Sequence, residues 1–268
     1  MCELFGMSSQ QAATVNFSIN IFSQHGGGTD THKDGWGVVY YEGNDVRRIR
    51  DTRPAVDNEW IQFLEQHSLK SNIVLSHIRK ATQGPLHLNN TQPFCKELAG
   101  KVHSFSHNGD LDSLTVSAEA VSKYYQPLGV TDSELAFCIL LSELSTLWLK
   151  HEKSPPLNER ATLIHQRFRQ FSSMGIANFI YSDSEYLYAY SDKRSQKDNT
   201  ISPPGLYKLE RHCMKPSLDA KYSGLSISKH FQKVVLVASV PLSEENWTPI
   251  EQDELLVLQL GKEVKYKE

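Results

Sequence analysis

Residues 131–149 read TDSELAFCILLSELSTLWL. Thr131 or Asp132 is placed as an N-cap, because a short side chain bearing oxygen can accept an orphan N–H of a helix's first turn. Glu134 follows closely, and a strongly apolar stretch then runs to Leu149. A second helix is predicted over Asn158 to Phe171. On the N-terminal side, strands are predicted at residues 2–8, Gly35 to Tyr41, Asn72 to Ile78 and Lys101 to Ser106. On the C-terminal side they fall at Ala177 to Ser182, Tyr186 to Tyr190, Gly205 to Leu209, Lys233 to Val240 and Glu254 to Leu260. Strands, two central helices and strands again predict sheets packed between helical layers, an α+β architecture.

Two more helical stretches are expected, over residues 12–24 before the Gly26-Gly27-Gly28 break and over Asp57 to Gln66 with Trp60, Phe63 and Leu64 on one face. The segment from Thr82 to Phe94 is irregular, rich in Gly, Pro and Asn, and suited to a binding loop. At 268 residues the chain fits a single domain spanning 1–268, since layered folds reach this length around one core.

Hydrophobic residues make up 39% and charged residues 22%, an ordinary globular balance, and a net charge of -3 provides no field for a polyanion. Nucleic acid is therefore not expected as a partner, and no apolar stretch is long enough to span a bilayer. The N-terminus MCELFGMSSQ lacks the basic and apolar regions of a secretory signal. Cys2, Cys95, Cys138 and Cys213 show no paired spacing, so neither a disulfide framework nor a zinc knuckle is expected, and a cytoplasmic location fits.

Cys2 directly follows the initiator Met. Its thiolate would be a strong nucleophile, and its own α-amine, freed by removal of Met1 and with a pKa of roughly 8, a general base at neutral pH. By position alone it also reads as a small buried hydrophobe. An acyl-transfer nucleophile needs an oxyanion hole. Ser106-His107-Asn108-Gly109-Asp110 offers a side-chain amide at Asn108 and an unencumbered backbone N–H at Gly109. In isolation the same segment is a plain Asn-Gly turn. Arg79 is suited to a carboxylate and Asp132 to an ammonium, though the first also reads as a surface residue and the second as a helix cap. His103 and His107 lie roughly 13 Å apart if they share a strand, too far for one metal.

Taken together, these residues resemble a known family. Cys2 with Leu4-Phe5-Gly6, then Asp34-Gly35-Trp36-Gly37, His77-Ile78-Arg79-Lys80-Ala81-Thr82-Gln83-Gly84, Asn90-Thr91-Gln92-Pro93-Phe94, His107-Asn108-Gly109 and Thr131-Asp132-Ser133-Glu134 resemble, in order and spacing, the class II glutamine amidotransferases. Ala238-Ser239-Val240-Pro241-Leu242 resembles the end of that domain. The resemblance is greatest to the stand-alone branch that includes the bacterial YafJ-like proteins and the glutaminase-like subunit of a yeast glutathione-degrading complex.

The resemblance implies the four-layer αββα sandwich of the Ntn hydrolases, two stacked and mainly antiparallel sheets between helical layers. It implies Cys2 as nucleophile and amine base, Asn108 and Gly109 as the oxyanion hole, Arg79 on the substrate α-carboxylate, Asp132 on its α-ammonium, and Thr82 in the substrate loop. It implies no cofactor and no metal. The substrate would be glutamine or a γ-glutamyl amide or peptide. Any ammonia acceptor would sit on a synthase or hydrolase partner, because a synthase domain needs a further few hundred residues. A non-catalytic regulatory subunit that keeps the fold is the remaining alternative. Lys80, Gln83 and Gln92 depart from the glucosamine-synthase branch, which has Arg-Trp-Ala-Thr-His-Gly over 79–84 and His at 92.

Overall fold

The computed structural model describes residues 2–15, 33–56, 58–81, 84–114, 123–196, 198–213 and 232–267. Fifteen strands and three helices are distinguished among them. In chain order they are β1 (Glu3–Thr14), β2 (Trp36–Glu42), β3 (Asp45–Asp51), α1 (Glu59–His67), β4 (Lys70–Ile78), β5 (Phe94–Leu98) and β6 (Lys101–Asn108). Then come α2 (Asp132–Trp148), α3 (Leu157–Ser172), β7 (Asn178–Ser182), β8 (Leu187–Ser191), β9 (Arg194–Ser195), β10 (Ile201–Ser202) and β11 (Tyr207–Cys213). The last are β12 (Gln232–Ala238), β13 (Thr248–Pro249), β14 (Glu254–Gln259) and β15 (Lys262–Glu263).

A seven-stranded sheet runs β13-β11-β12-β1-β4-β2-β3 and a six-stranded sheet runs β15-β14-β8-β7-β6-β5, with every pairing antiparallel. The apolar runs of the sequence explain how these sheets stack. Successive side chains of a strand point to opposite faces, so a strand covered on both sides is apolar throughout. Val235 and Val237 of β12, Val39 and Tyr41 of β2, and Ile180 of β7 enter the layer between the sheets. Val234, Leu236 and Ala238, with Trp36, Val38 and Tyr40, face outward and are covered by Ile61 and Leu64 of α1. On the other side, Phe105, Phe179, Tyr181, Tyr188 and Tyr190 face α2 and α3. The order is thus helix, sheet, sheet, helices: the four-layer αββα sandwich.

α2 is buried because its sequence is apolar almost all round. Thr131 is its N-cap, accepting the N–H of Glu134, and Asp132 is the first helical residue. Phe137 stacks on Phe105 with centroids 5.3 Å apart, a contact of about 0.5–1.5 kcal/mol beyond its buried area.

Several expectations need correction. β1 continues through Thr14, so residues 12–14 are strand and not the start of a helix; the remainder of that predicted helix, like the Gly26-Gly27-Gly28 run, falls mainly outside the described residues. α1 turns Ile61 and Leu64 inward, leaving Trp60 and Phe63 largely exposed. The segment expected to be irregular up to Phe94 contains a short 3-10 turn over Leu88–Asn90 and ends in the edge strand β5. His103 Nδ1 meets the Tyr181 hydroxyl at 2.5 Å, and His107 is bonded through both ring nitrogens.

Candidate active site

The strand registers bring the predicted residues to one end of the sandwich. Glu3 pairs with Ile78, which in turn pairs with Trp36, so Cys2 lies beside the turn that follows β4. Its Sγ receives the Lys80 N–H at 3.3 Å and is 3.4 Å from the Lys80 carbonyl, to which the thiol donates. Burial pushes the thiol up to about 11, outweighing the opposing effects of the Lys80 hydrogen bond and the Arg79 charge. The thiol therefore stays protonated at neutral pH unless a base removes its proton.

The turn beside Cys2 is held by the residues preceding β2. Arg79 N–H donates to the Gly35 carbonyl at 2.8 Å, and Ala81 N–H donates to Asp34 Oδ2 at 2.8 Å. Arg79 is itself buried, and its guanidinium donates to the carbonyls of Gly84 and Pro85 at 3.2 Å each. Burial lowers its pKa, with Cys2 and Asp34 opposing. The predicted loop residues Thr82 and Gln83 lie outside the described residues.

Asn108 closes β6 on the second sheet and is fully buried. Its Nδ2 donates to Ser239 Oγ at 3.2 Å, and the same oxygen accepts the Leu4 N–H at 3.0 Å. Ser239 N–H returns a bond to the Leu4 carbonyl at 3.0 Å. One hydroxyl thus ties the strand carrying Cys2 to the asparagine of the facing sheet.

At the next position only glycine fits. A Cβ on Gly109 would stand 1.7 Å from the Ile176 carbonyl oxygen and 2.7 Å from His107 Nε2, at φ +157. The His107 N–H is taken by Gln92 Oε1 at 2.6 Å. Gln92 thus meets the β6 backbone one residue before Asn108. Gln92 therefore acts as an extra rung of the sheet beside the site, which gives this departure from the related branch a structural role.

Asp132 begins α2 half-buried. Its Oδ2 accepts the Leu111 N–H at 2.7 Å and its Oδ1 the Ser133 N–H at 2.8 Å. His107 Nε2 must donate to the Ile176 carbonyl at 3.0 Å, which makes Nδ1 the acceptor of the Ser133 hydroxyl at 2.9 Å. Burial lowers the His107 pKa, against the charges of Asp132 and Asp110, and keeps this neutral tautomer.

The structure therefore gathers Cys2, Arg79, Asn108 and Gly109 around the facing ends of β1, β4 and β6, with Asp132 joined to the following turn through Leu111. Ser239 stood in the sequence only as part of a longer motif, and Asn178 carried no local signal. Asn178, the first residue of β7, is buried opposite Asn108 of β6, with its Nδ2 3.1 Å from the Asn108 carbonyl.

The same arrangement of strands recurs in known proteins. A crystal structure of a predicted glutamine amidotransferase from Pseudomonas aeruginosa superposes with a TM-score of 0.69 at 28% identity, covering 98% of this chain and 100% of that one. YafJ of Escherichia coli is 32% identical over 98% of this chain and 100% of its own length. A protein of Haemophilus influenzae is also 32% identical, over 98% of this chain and 86% of its own. Both are described only provisionally as glutamine amidotransferases. The model of the class-II glutamine amidotransferase family matches residues 1–268. With that match and relatives aligned along nearly the whole sandwich, the chain belongs to the class-II glutamine amidotransferases.

Proposed function

We propose that the chain releases ammonia from the side-chain amide of glutamine through a γ-glutamyl thioester on Cys2. The Ser239 junction carries this reading, because it fixes the Asn108 carboxamide against the strand that delivers the thiol. Once Met1 is removed, the Cys2 α-amine takes the thiol proton as Sγ attacks the amide carbon. The carbonyl oxygen becomes an oxyanion between the Asn108 side chain and the Gly109 N–H. The amine then passes the proton to the leaving nitrogen, the C–N bond breaks, and ammonia departs. Water attacks the thioester, giving glutamate and restoring the thiol.

A half-turn of the Asn108 amide serves the hole. Its Oδ1 is buried and meets no donor among the described residues. With the amide reversed, the Ser239 hydroxyl donates to Oδ1, still accepts the Leu4 N–H, and leaves Nδ2 free for the oxyanion. Arg79 binds the α-carboxylate, Asp132 the α-ammonium, and Thr82 belongs to the substrate loop. Ammonia passes to an acceptor on a partner protein.

Glutamate release from glutamine, glutathione and γ-glutamyl amides is the test. The expected result is measurable glutamine turnover that rises with cell extract. A chain fast on a γ-glutamyl peptide and inert to glutamine in both conditions would replace the amidotransferase reading with that of a γ-glutamyl peptidase. A chain inert to every substrate with Met1 shown by mass to be removed would leave a non-catalytic subunit.

A further inference from the structure

An oxyanion hole built from a backbone N–H depends on the orientation of one peptide plane. In a trans peptide the N–H points opposite to the preceding carbonyl, so whatever holds the Asn108 carbonyl also aims the Gly109 N–H. Asn178 is the side chain that reaches it. The Nδ2 of Asn178 donates to the Asn108 carbonyl at 3.1 Å and to the Lys193 carbonyl at 2.9 Å, and its Oδ1 accepts the Asp192 N–H at 2.9 Å. Both amide hydrogens and the oxygen are engaged. Reversing this amide would set its oxygen against two carbonyls, so only one orientation satisfies the site.

The surroundings fix this side chain further. A Cβ on Gly205 would stand 1.6 Å from Asn178 Oδ1, so the chain passes too close for any other residue there. Asp192, whose N–H grips Asn178, is anchored by its own carboxylate. Its Oδ2 accepts the Ala177 N–H at 3.2 Å and its Oδ1 the Gln252 Nε2 at 2.9 Å. With every polar atom engaged inside the protein, Asn178 has nothing to offer a substrate. Its effect must pass through the peptide it holds.

Resting on the glutaminase reading above, we infer that Asn178 is a positioning residue of the reaction, holding the Asn108–Gly109 peptide so that the Gly109 N–H faces the developing oxyanion. A bond to a carbonyl also polarises the peptide and strengthens its N–H as a donor. The substrate's α-carboxylate and α-ammonium are bound elsewhere, so this contribution belongs to the transition state and not to ground-state affinity.

The test uses Asn178→Asp, nearly isosteric, and Asn178→Ala, on the full chain with Met1 removed. Whichever substrate the wild type turns over is used, with glutamate inhibition as the measure of an intact binding site. Asn178→Asp turns a carboxylate toward two carbonyls and should lower kcat by roughly 10- to 100-fold. Asn178→Ala should lower it less, and neither should move KM or the glutamate inhibition constant. If Asn178→Asp does not fold, Asn178→Thr, which keeps a shorter donor, should show the same kcat loss at unchanged KM. Wild-type kcat in folded variants, or a raised KM at unchanged kcat, would overturn the inference. A wild type inert to every substrate would overturn the glutaminase reading itself, an outcome distinct from a change confined to the variants.

Discussion

Two arginines in this molecule are about equally buried and are held by different partners. Arg160 of α3 donates to Asp183 at 2.7 Å and to Glu185 at 3.1 Å, and lies over the rings of Trp148 and Tyr186. Burial alone would depress its pKa, yet the carboxylates raise it above the ordinary value. Arg79 donates to the backbone carbonyls of the loop beside Cys2, and burial leaves its pKa lowered. The first arginine is neutralised by fixed side-chain anions within the fold. The second donates to backbone dipoles of the loop beside Cys2, and under the proposed function its guanidinium would meet a ligand carboxylate.

Mutations within the fold and at the candidate site should separate stability from catalysis. Arg160→Ala strands the fully buried Asp183 and should cost about 3–5 kcal/mol in denaturant unfolding, with kcat of the folded fraction unchanged. Loss of activity without loss of stability would reverse the contrast. Asn108→Ala should lower kcat by about 10²- to 10³-fold at nearly constant KM, the usual loss for one oxyanion donor. An effect on KM alone would remove Asn108 from the transition state.

Acid should act first on the fold. His103 is buried and its pKa is lowered to about 4 by desolvation, so it stays neutral in the folded chain while the unfolded chain takes up a proton near pH 6.5. Its contribution is present above pH 6.5 and lost as pH falls toward 4, at most roughly 3 kcal/mol by linkage. Urea midpoints measured across that window should fall, and His103→Gln should flatten the slope; a slope unchanged in that variant would assign the loss elsewhere. The smallest effect is expected from Arg79→Lys. An ammonium cannot reproduce the paired bonds of a guanidinium, so KM should rise about tenfold while the unfolding midpoint barely moves. A drop in stability with normal KM would make Arg79 a second structural arginine.

The fold and the candidate site also differ in legibility. The helical pair and the apolar strands could be read because a buried strand is apolar on both faces and a buried helix all round. Ser8 to Gln11 hid the length of β1: these polar residues sit where its register with β4 shifts between Ser8 and Ala13, and Ser9 Oγ donates to the Gln11 carbonyl at 2.8 Å. In α1 the inward face is set by Ile61 and Leu64, while the equally apolar Trp60 and Phe63 are turned to solvent. At the candidate site, Cys2, Asn108, Gly109, Arg79 and Asp132 are legible together through their resemblance to the family's motifs, since each alone has a plainer reading. Ser239 and Asn178 act across sequence separations of 131 and 70 residues, and no local pattern announces such contacts. Gln92 stood out only as a departure; its bond to the His107 N–H became apparent in the strand ladder.

If Cys2 is both nucleophile and base, its thiol and its free α-amine are each indispensable. Glutamate release from glutamine should be compared for the chain with Met1 removed, the same chain with an uncleavable N-terminal extension, and Cys2→Ala, with the N-terminus of each verified by intact mass. Turnover is expected in the first alone, because the extension turns the amine into an amide without basicity and the alanine removes the thiol. Glutamate release by Cys2→Ala at the wild-type rate would contradict it.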